Sequence, residues 1–385
     1  MRFSHRLPTS LEENRLSRAV AARRARGAPL YDLTETNPTR VGLALPPWPL
    51  QALSAPENLV YAPDPRGLDS ARQAVVEHYR ARNLSVGKER IFVTASTSET
   101  YSFLFKLLCD PGDNVLVPAP SYPLFEHLAR LEGVELTHYP LRYHQGWFVD
   151  ADELAELIGP RTRAIVVVHP NNPTGSFLKR NEAARLLAFC RERDLALISD
   201  EVFGEYEFGP APERWPSFVE SEDALAFCMA GLSKRGLPQL KLGWLVIGGP
   251  AGEAARASAA LELIADTFLS VSSPVQHAAA SLFAFSDQFV VAIRDRLEKN
   301  RRALKAIAGD KLRVLDCEGG WSTIVRAPPS HDEEAWALQL IDDGVLVHPG
   351  YFFDFAEDGY LVLSLLPQEA EFSQAAARLT ARLGE

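Results

Sequence analysis

The chain has 385 residues, 46% of them apolar, which is material for two or three average domains with a sizeable buried core. Its formal charge of −10, from 50 acidic and 40 basic residues, excludes a general basic surface for nucleic acid or an anionic membrane. Cys109, Cys190, Cys228 and Cys317 form no C-x-x-C pair and the histidines show no metal-ligand spacing, so reduced structural thiols and no metal are expected. No apolar run approaches about 18 residues and the first residues lack a signal peptide's apolar stretch, which makes a cytoplasmic protein without membrane contact the expectation.

In chain order, residues 10–26 read as a basic amphipathic helix. Regular alternation starts near residue 90: a short strand at 90–95, a helix at 98–108, a strand at 114–117 stopped by Pro118 and Pro120, and a helix at 122–131. A strand at 134–136 follows, then the continuous apolar run 164–168, of the kind buried on both faces. A helix at 182–193 and strands at 195–198, 224–229 and 242–247 complete the series. Strands separated by helices need crossover connections, so the fold class is α/β, a large domain over 46–285 with a mostly parallel, doubly wound sheet covered by helices. From 286 the texture changes to a long helix at 289–307 and short strands around Thr323, Val345 and Leu361. With residues 1–45 this stretch is expected to form a smaller α+β domain built from both chain ends.

Ligands of such sheets sit beyond the carboxyl ends of the strands. Ser96, Tyr122, Asn172, Asp200 and Lys234 each fall just after an apolar strand, so one crevice can gather all five.

Lys234 lies in Gly231-Leu232-Ser233-Lys234-Arg235-Gly236-Leu237-Pro238, where glycines permit close backbone approach and a proline stiffens the end. Asp200 ends the run Leu195-Ala196-Leu197-Ile198-Ser199, where an unpaired buried carboxylate is costly. A lysine that can form a Schiff base with an aldehyde, plus a carboxylate to keep a ring nitrogen protonated, is the minimum equipment for pyridoxal-phosphate chemistry. Ser96-Thr97-Ser98-Glu99 opens a helix, where hydroxyls and free N–H groups cap the chain or bind a phosphate, and Lys241 can supply a balancing cation. Each residue also has an ordinary role open to it: a solvated lysine, a capping aspartate, a turn-forming Asn172 in Asn171-Asn172-Pro173-Thr174-Gly175. Only the set points to a cofactor. Ser176-x-x-Lys179 has no companion motifs of a serine hydrolase, and Gly248-Gly249-Pro250-Ala251-Gly252 is not a dinucleotide fingerprint.

In the order Tyr61 with Gly67, Ser96-Thr97-Ser98, Pro120-Ser121-Tyr122, Asn172-Pro173-Thr174-Gly175, Asp200, Ser233-Lys234 and Lys241-Leu242-Gly243, the chain resembles the class I/II aminotransferases among fold-type I pyridoxal-phosphate enzymes. The resemblance spans nearly the whole length. It implies that Lys234 is the Schiff-base lysine and proton shuttle, Asp200 the partner of the pyridine nitrogen and Asn172 that of the ring oxygen. It implies further that Tyr122 stacks on the ring and that Ser96, Thr97, Ser98, Ser233 and Lys241 hold the phosphate. Tyr61 would reach the phosphate of a neighbouring subunit, which implies a homodimer. The substrates so implied are an amino donor and an oxo-acid acceptor.

Five features depart from that family's pattern. Phe203 stands where a tyrosine usually donates to the ring oxygen, and Lys241 replaces an arginine, giving a point charge in place of a fork. The segment after Lys234 is one residue shorter than usual, and Gly231 stands where many relatives have serine. In Tyr360-Leu361-Val362-Leu363-Ser364, valine occupies the position of an arginine that clamps the substrate carboxylate. Arg40, in the loop Thr36-Asn37-Pro38-Thr39-Arg40, is the replacement expected here, with Asn37 and Trp321 beside the substrate and Tyr351, Phe352 and Phe353 making the pocket aromatic. Val362 also leaves open a lyase, decarboxylase or oxidase on the same fold, and a non-catalytic ligand-binding relative stands as a further alternative.

Overall fold

A computed structural model describes residues 3–8, 12–43 and 48–384; residues 10 and 11 of the expected first helix and the expected boundary at 45/46 lie outside these. Fourteen strands are described: β1 (Tyr31–Asp32), β2 (Ile91–Thr94), β3 (Asn114–Ala119), β4 (Glu135–Tyr143), β5 (Trp147–Val149), β6 (Thr162–Val168), β7 (Ala196–Asp200), β8 (Ala226–Gly231), β9 (Gly243–Gly248), β10 (Arg313–Val314), β11 (Ser322–Arg326), β12 (Val345–Leu346), β13 (His348–Pro349) and β14 (Tyr360–Ser364). Eight of them form one sheet in the order β2-β9-β8-β7-β6-β3-β4-β5. The run from β8 to β4 is parallel, while β9 and β5 run against their neighbours.

Successive residues of the central strands enter opposite cores. Val166, Ile198, Phe227 and Leu245 pack with the helices Thr97–Leu108, Phe125–Glu132 and Ala251–Phe268. Ile165, Val167, Leu197 and Val246 pack with the helices Asp69–Ala81 and Arg180–Arg193 on the other face. Both faces are covered, which is why these strands read as unbroken apolar runs.

Local chemistry sets the helix starts. Ser96 caps Thr97–Leu108 by accepting from Glu99 N–H, and Glu99 reaches back to the Ala95 N–H at 2.7 Å, a reciprocal cap. The helix expected from 122 begins at Phe125, because Pro123 disfavours a helical conformation for Tyr122. Tyr122 is thereby left on a loop at the sheet's edge. The strand expected at 134–136 runs to Tyr143 and turns into β5 through Gln145 and Gly146, both at positive φ.

A four-stranded antiparallel sheet, β10-β11-β14-β13, lies beside the large one, and β1 pairs with β12 in a short parallel ladder. Leu16, Leu33 and Val41 from the N-terminal segment join its core with the helices Glu333–Asp343 and Glu369–Leu383. The long helix spans Ala279–Ala308, ten residues more at its start than the spacing predicts. Its first part, including Leu282 and Phe283, packs into the large-sheet core, and from Phe289 onward it packs into the small-sheet core. The expected division at 285/286 falls inside this one helix. The first helix is Arg15–Ala25 and buries only Leu16, so its basic face is more complete than its apolar one.

Candidate active site

β2, β3, β6, β7 and β8 end on one edge of the large sheet, and β9, running the other way, starts there with Thr94 opposite Gly243. A cavity of about 240 Å³ opens at this edge. Ser96, Thr97, Ser98, Tyr122, Asn172, Asp200, Phe203, Ser233, Lys234 and Lys241 all line it.

Asp200 is 6% exposed, and its carboxylate accepts from the Tyr101 hydroxyl and from the Val202 N–H, each at 3.2 Å. Burial pushes its pKa up to about 6, against the pull of those two bonds and of Lys234's charge. Burial lowers the Lys234 pKa, and the charge of Asp200 opposes the shift. The Lys234 Nζ lies 5.1 Å from the ring centres of both Phe203 and Trp321, which meet edge to face at 5.6 Å. An amine so placed is shielded from water yet open to the cavity.

The lysine's backbone is held from two sides. The Tyr206 hydroxyl donates to the Lys234 carbonyl, and the neighbouring Arg235, 2% exposed, donates to Ser286 Oγ at 2.9 Å and pairs with Glu205 and Asp287. Burial works against the Arg235 charge, but the two carboxylates outweigh it and raise its pKa. Ser286 and Asp287 lie on Ala279–Ala308, so the lysine segment is tied to that helix. At Gly231 a Cβ would come within 3.1 Å of the Leu242 carbonyl, so a side chain there needs the neighbouring strand to give by a few tenths of an ångström.

A set of hydroxyl, N–H and lysine donors lines the same cavity. Ser96 Oγ takes the Glu99 N–H and Ser96 O the Thr100 N–H, so the N–H groups of Thr97 and Ser98 lie in the open first turn with their hydroxyls. Ser233 and Lys241 complete it, Lys241 in the left-handed region at φ 52°. The two asparagines divide their work. Asn171 is 4% exposed and holds the loop through Thr174, whereas Asn172 lines the cavity beside Ser322 Oγ at 3.5 Å.

Other expected residues lie elsewhere. Tyr61 is 80% exposed and lines a separate hollow with Leu269. Arg40 is exposed and outside the cavity lining, and Asn37 spends its side-chain oxygen on Thr39. Trp321 is buried against Lys234, Phe353 is in the core, and Tyr351 is exposed. Val362 is 2% exposed between Ile324 and His348, so no charge replaces the missing arginine there. Tyr101 and Tyr206 are site residues that the sequence does not mark. Tyr101 reads as helix core, and its only signal is its place on the helix that opens at Ser96. Among the described residues no cluster of metal-ligand type occurs, and His169, whose burial lowers its pKa, spends both ring nitrogens on the Leu178 N–H and the Trp215 carbonyl.

The profile of the class I and II aminotransferases matches residues 25–379, and the chain belongs to that family. Glutamate-pyruvate aminotransferase AlaA of Escherichia coli is 29% identical over 318 residues, 79% of this chain and 78% of that one. An alanine aminotransferase of Mycobacterium tuberculosis is 30% identical over 335 residues, 82% of this chain and 76% of that one. The fold matches alanine aminotransferase from Pyrococcus furiosus at a TM-score of 0.87, with 24% identity over 99% of both chains. It also matches a Thermus thermophilus aspartate aminotransferase at 0.86, with 24% identity over 100% of both. The protein is a pyridoxal-phosphate-dependent aminotransferase.

The residues fit that cofactor. A carboxylate whose pKa is raised by burial would be relieved by a protonated ring nitrogen beside it, and the hydroxyl, N–H and lysine set lining the same cavity suits a phosphate monoester.

Proposed function

We propose that Lys234 and Asp200 are the working pair of this aminotransferase, and the observation that carries the reading is that both face one cavity with an anion cradle at its side. Pyridoxal phosphate supplies an aldehyde that binds an amine covalently and a ring that accepts the electrons released when the donor's α C–H bond breaks. Lys234 holds the cofactor at rest. Its Nζ, when free, would be the base that takes the donor's α-proton and the acid that gives a proton back. The lowered pKa of Lys234 serves this step, because only the neutral amine can act as base. Asp200 keeps the ring nitrogen protonated, and Tyr101 and the Val202 N–H keep Asp200 ionised and aimed. Asn172 holds the ring oxygen, Tyr122 covers the ring, and Ser96, Thr97, Ser98, Ser233 and Lys241 hold the phosphate.

The named relatives support an amino acid as donor and a small 2-oxo acid such as pyruvate as acceptor. The test is a half-reaction. Mixing the holoenzyme with alanine or glutamate should change the cofactor's absorbance and release one equivalent of oxo acid; Lys234→Ala should slow this about 10³-fold, within the range of positioned acid–base groups. An unslowed variant removes Lys234 from the role.

We further propose a homodimer. Leu59, Val60 and Tyr61 are 91%, 65% and 80% exposed, an apolar run that a second copy would cover while bringing Tyr61 to its neighbour's phosphate. Sedimentation at the mass of one chain under dilute conditions would refute it. A cytoplasmic site agrees with four free cysteines.

A further inference from the structure

A larger hollow, of about 500 Å³, lies at the seam between the β4–β5 hairpin and the small sheet and shares no lining residue with the Lys234 cavity. Its wall is a chain of rings. Tyr143 meets Trp147 edge-on at 5.1 Å, Trp147 meets Phe355 at 5.9 Å, and Phe355 stacks on Tyr360 at 4.5 Å. Arg326 lies over Tyr360 at 4.1 Å and Arg313 over Tyr143 at 5.8 Å.

A guanidinium resting on a ring uses its face, and its N–H donors still point outward in its own plane. Arg313 has no carboxylate partner among the described residues. Arg326 reaches Glu357 at 3.3 Å, but that side chain is 71% exposed and the pair is weak. Its Nη1 and the indole N–H of Trp147 are buried with no acceptor among the described residues. Arg142, also on the wall, is occupied by Glu153 through bonds of 3.0 and 2.8 Å. With Arg142 occupied by Glu153, Arg326 only weakly held by Glu357, and Arg313 without a carboxylate partner among the described residues, positive charge remains on this wall. Donors exceed acceptors, so a ligand here must bring acceptors and a negative charge, and the rings favour a flat apolar body.

We propose that this groove is a second binding site, apart from the catalytic cavity, for a carboxylate carried on an aromatic body. Arg313 and Arg326 take the carboxylate, and Phe355, with Trp147 edge-on beside it, takes the ring.

Calorimetric titration of the holoenzyme with 3-phenylpropionate, with the cofactor's absorbance recorded alongside, tests this. The expected result is binding that leaves the absorbance unchanged, is about tenfold weaker in Arg313→Gln and in Arg326→Gln, and is weaker still for acetate or 3-phenylpropan-1-ol. Arg313 is exposed, so its variant decides the matter even if Arg326→Gln folds poorly. Three results overturn the proposal: no binding, equal affinity in Arg313→Gln, or binding that alters the cofactor's absorbance and so belongs to the Lys234 cavity.

Discussion

The large sheet meets the site with polar groups, Ser96, Asn172, Asp200, Ser233 and Lys234, each at the end of a strand. The small sheet meets it with Trp321 and carries Val362 in the core at the strand position where a carboxylate clamp would stand. The difference is one of origin. Strand ends of a parallel sheet all point to one edge, so whatever polar residues follow them are collected automatically. The small sheet offers no such convergence, and recognition there depends on single side chains that can change without disturbing the fold.

Three changes break or sharpen that contrast. Asp200→Asn strikes the polar side and should cost about 10²–10³-fold in kcat, the scale of removing one preorganised electrostatic partner; steady-state rates check it. The same residue gives a sign test in the cofactor-free protein. Its folded pKa of about 6 lies above the ordinary 3.8, so its effect favours the fold below pH 4 and is lost as pH rises through 6. The lost contribution is about 3 kcal/mol at pH 7, and Asp200→Asn should remove that pH dependence from thermal melts.

Phe203→Tyr should act more mildly. A phenol donating to the cofactor's anionic ring oxygen favours the deprotonated form, so the spectroscopic pH midpoint of the bound cofactor should fall by about one unit. An unmoved midpoint would mean that position 203 does not face that oxygen. Arg40→Ala should have the smallest effect, about twofold or less in KM for carboxylate substrates, because the side chain is exposed and outside the cavity. A large rise in KM would return Arg40 to the substrate's side.

The polar half of the site was legible because Val166, Val167 and Ile198 lie in runs that can only be central strands, and the residues that follow had one place to go. The helix Ala251–Phe268 was not, since its buried stripe of Ala254, Ala257 and Ala265 gives little contrast with its outer face. Tyr101 hid for a different reason: a buried aromatic on a helix looks the same in sequence whether its hydroxyl touches Asp200 or nothing at all. Arg40 is expected at the substrate only because the resembled family's matching loop lines that pocket, and loop residues have no periodic neighbour to fix where they point.

Ala279–Ala308 is a rod of 30 residues, about 45 Å long, seated in both cores and bolted near its first third to Arg235. Force applied to the small sheet therefore travels along a stiff member and arrives one residue from the amine that does the chemistry.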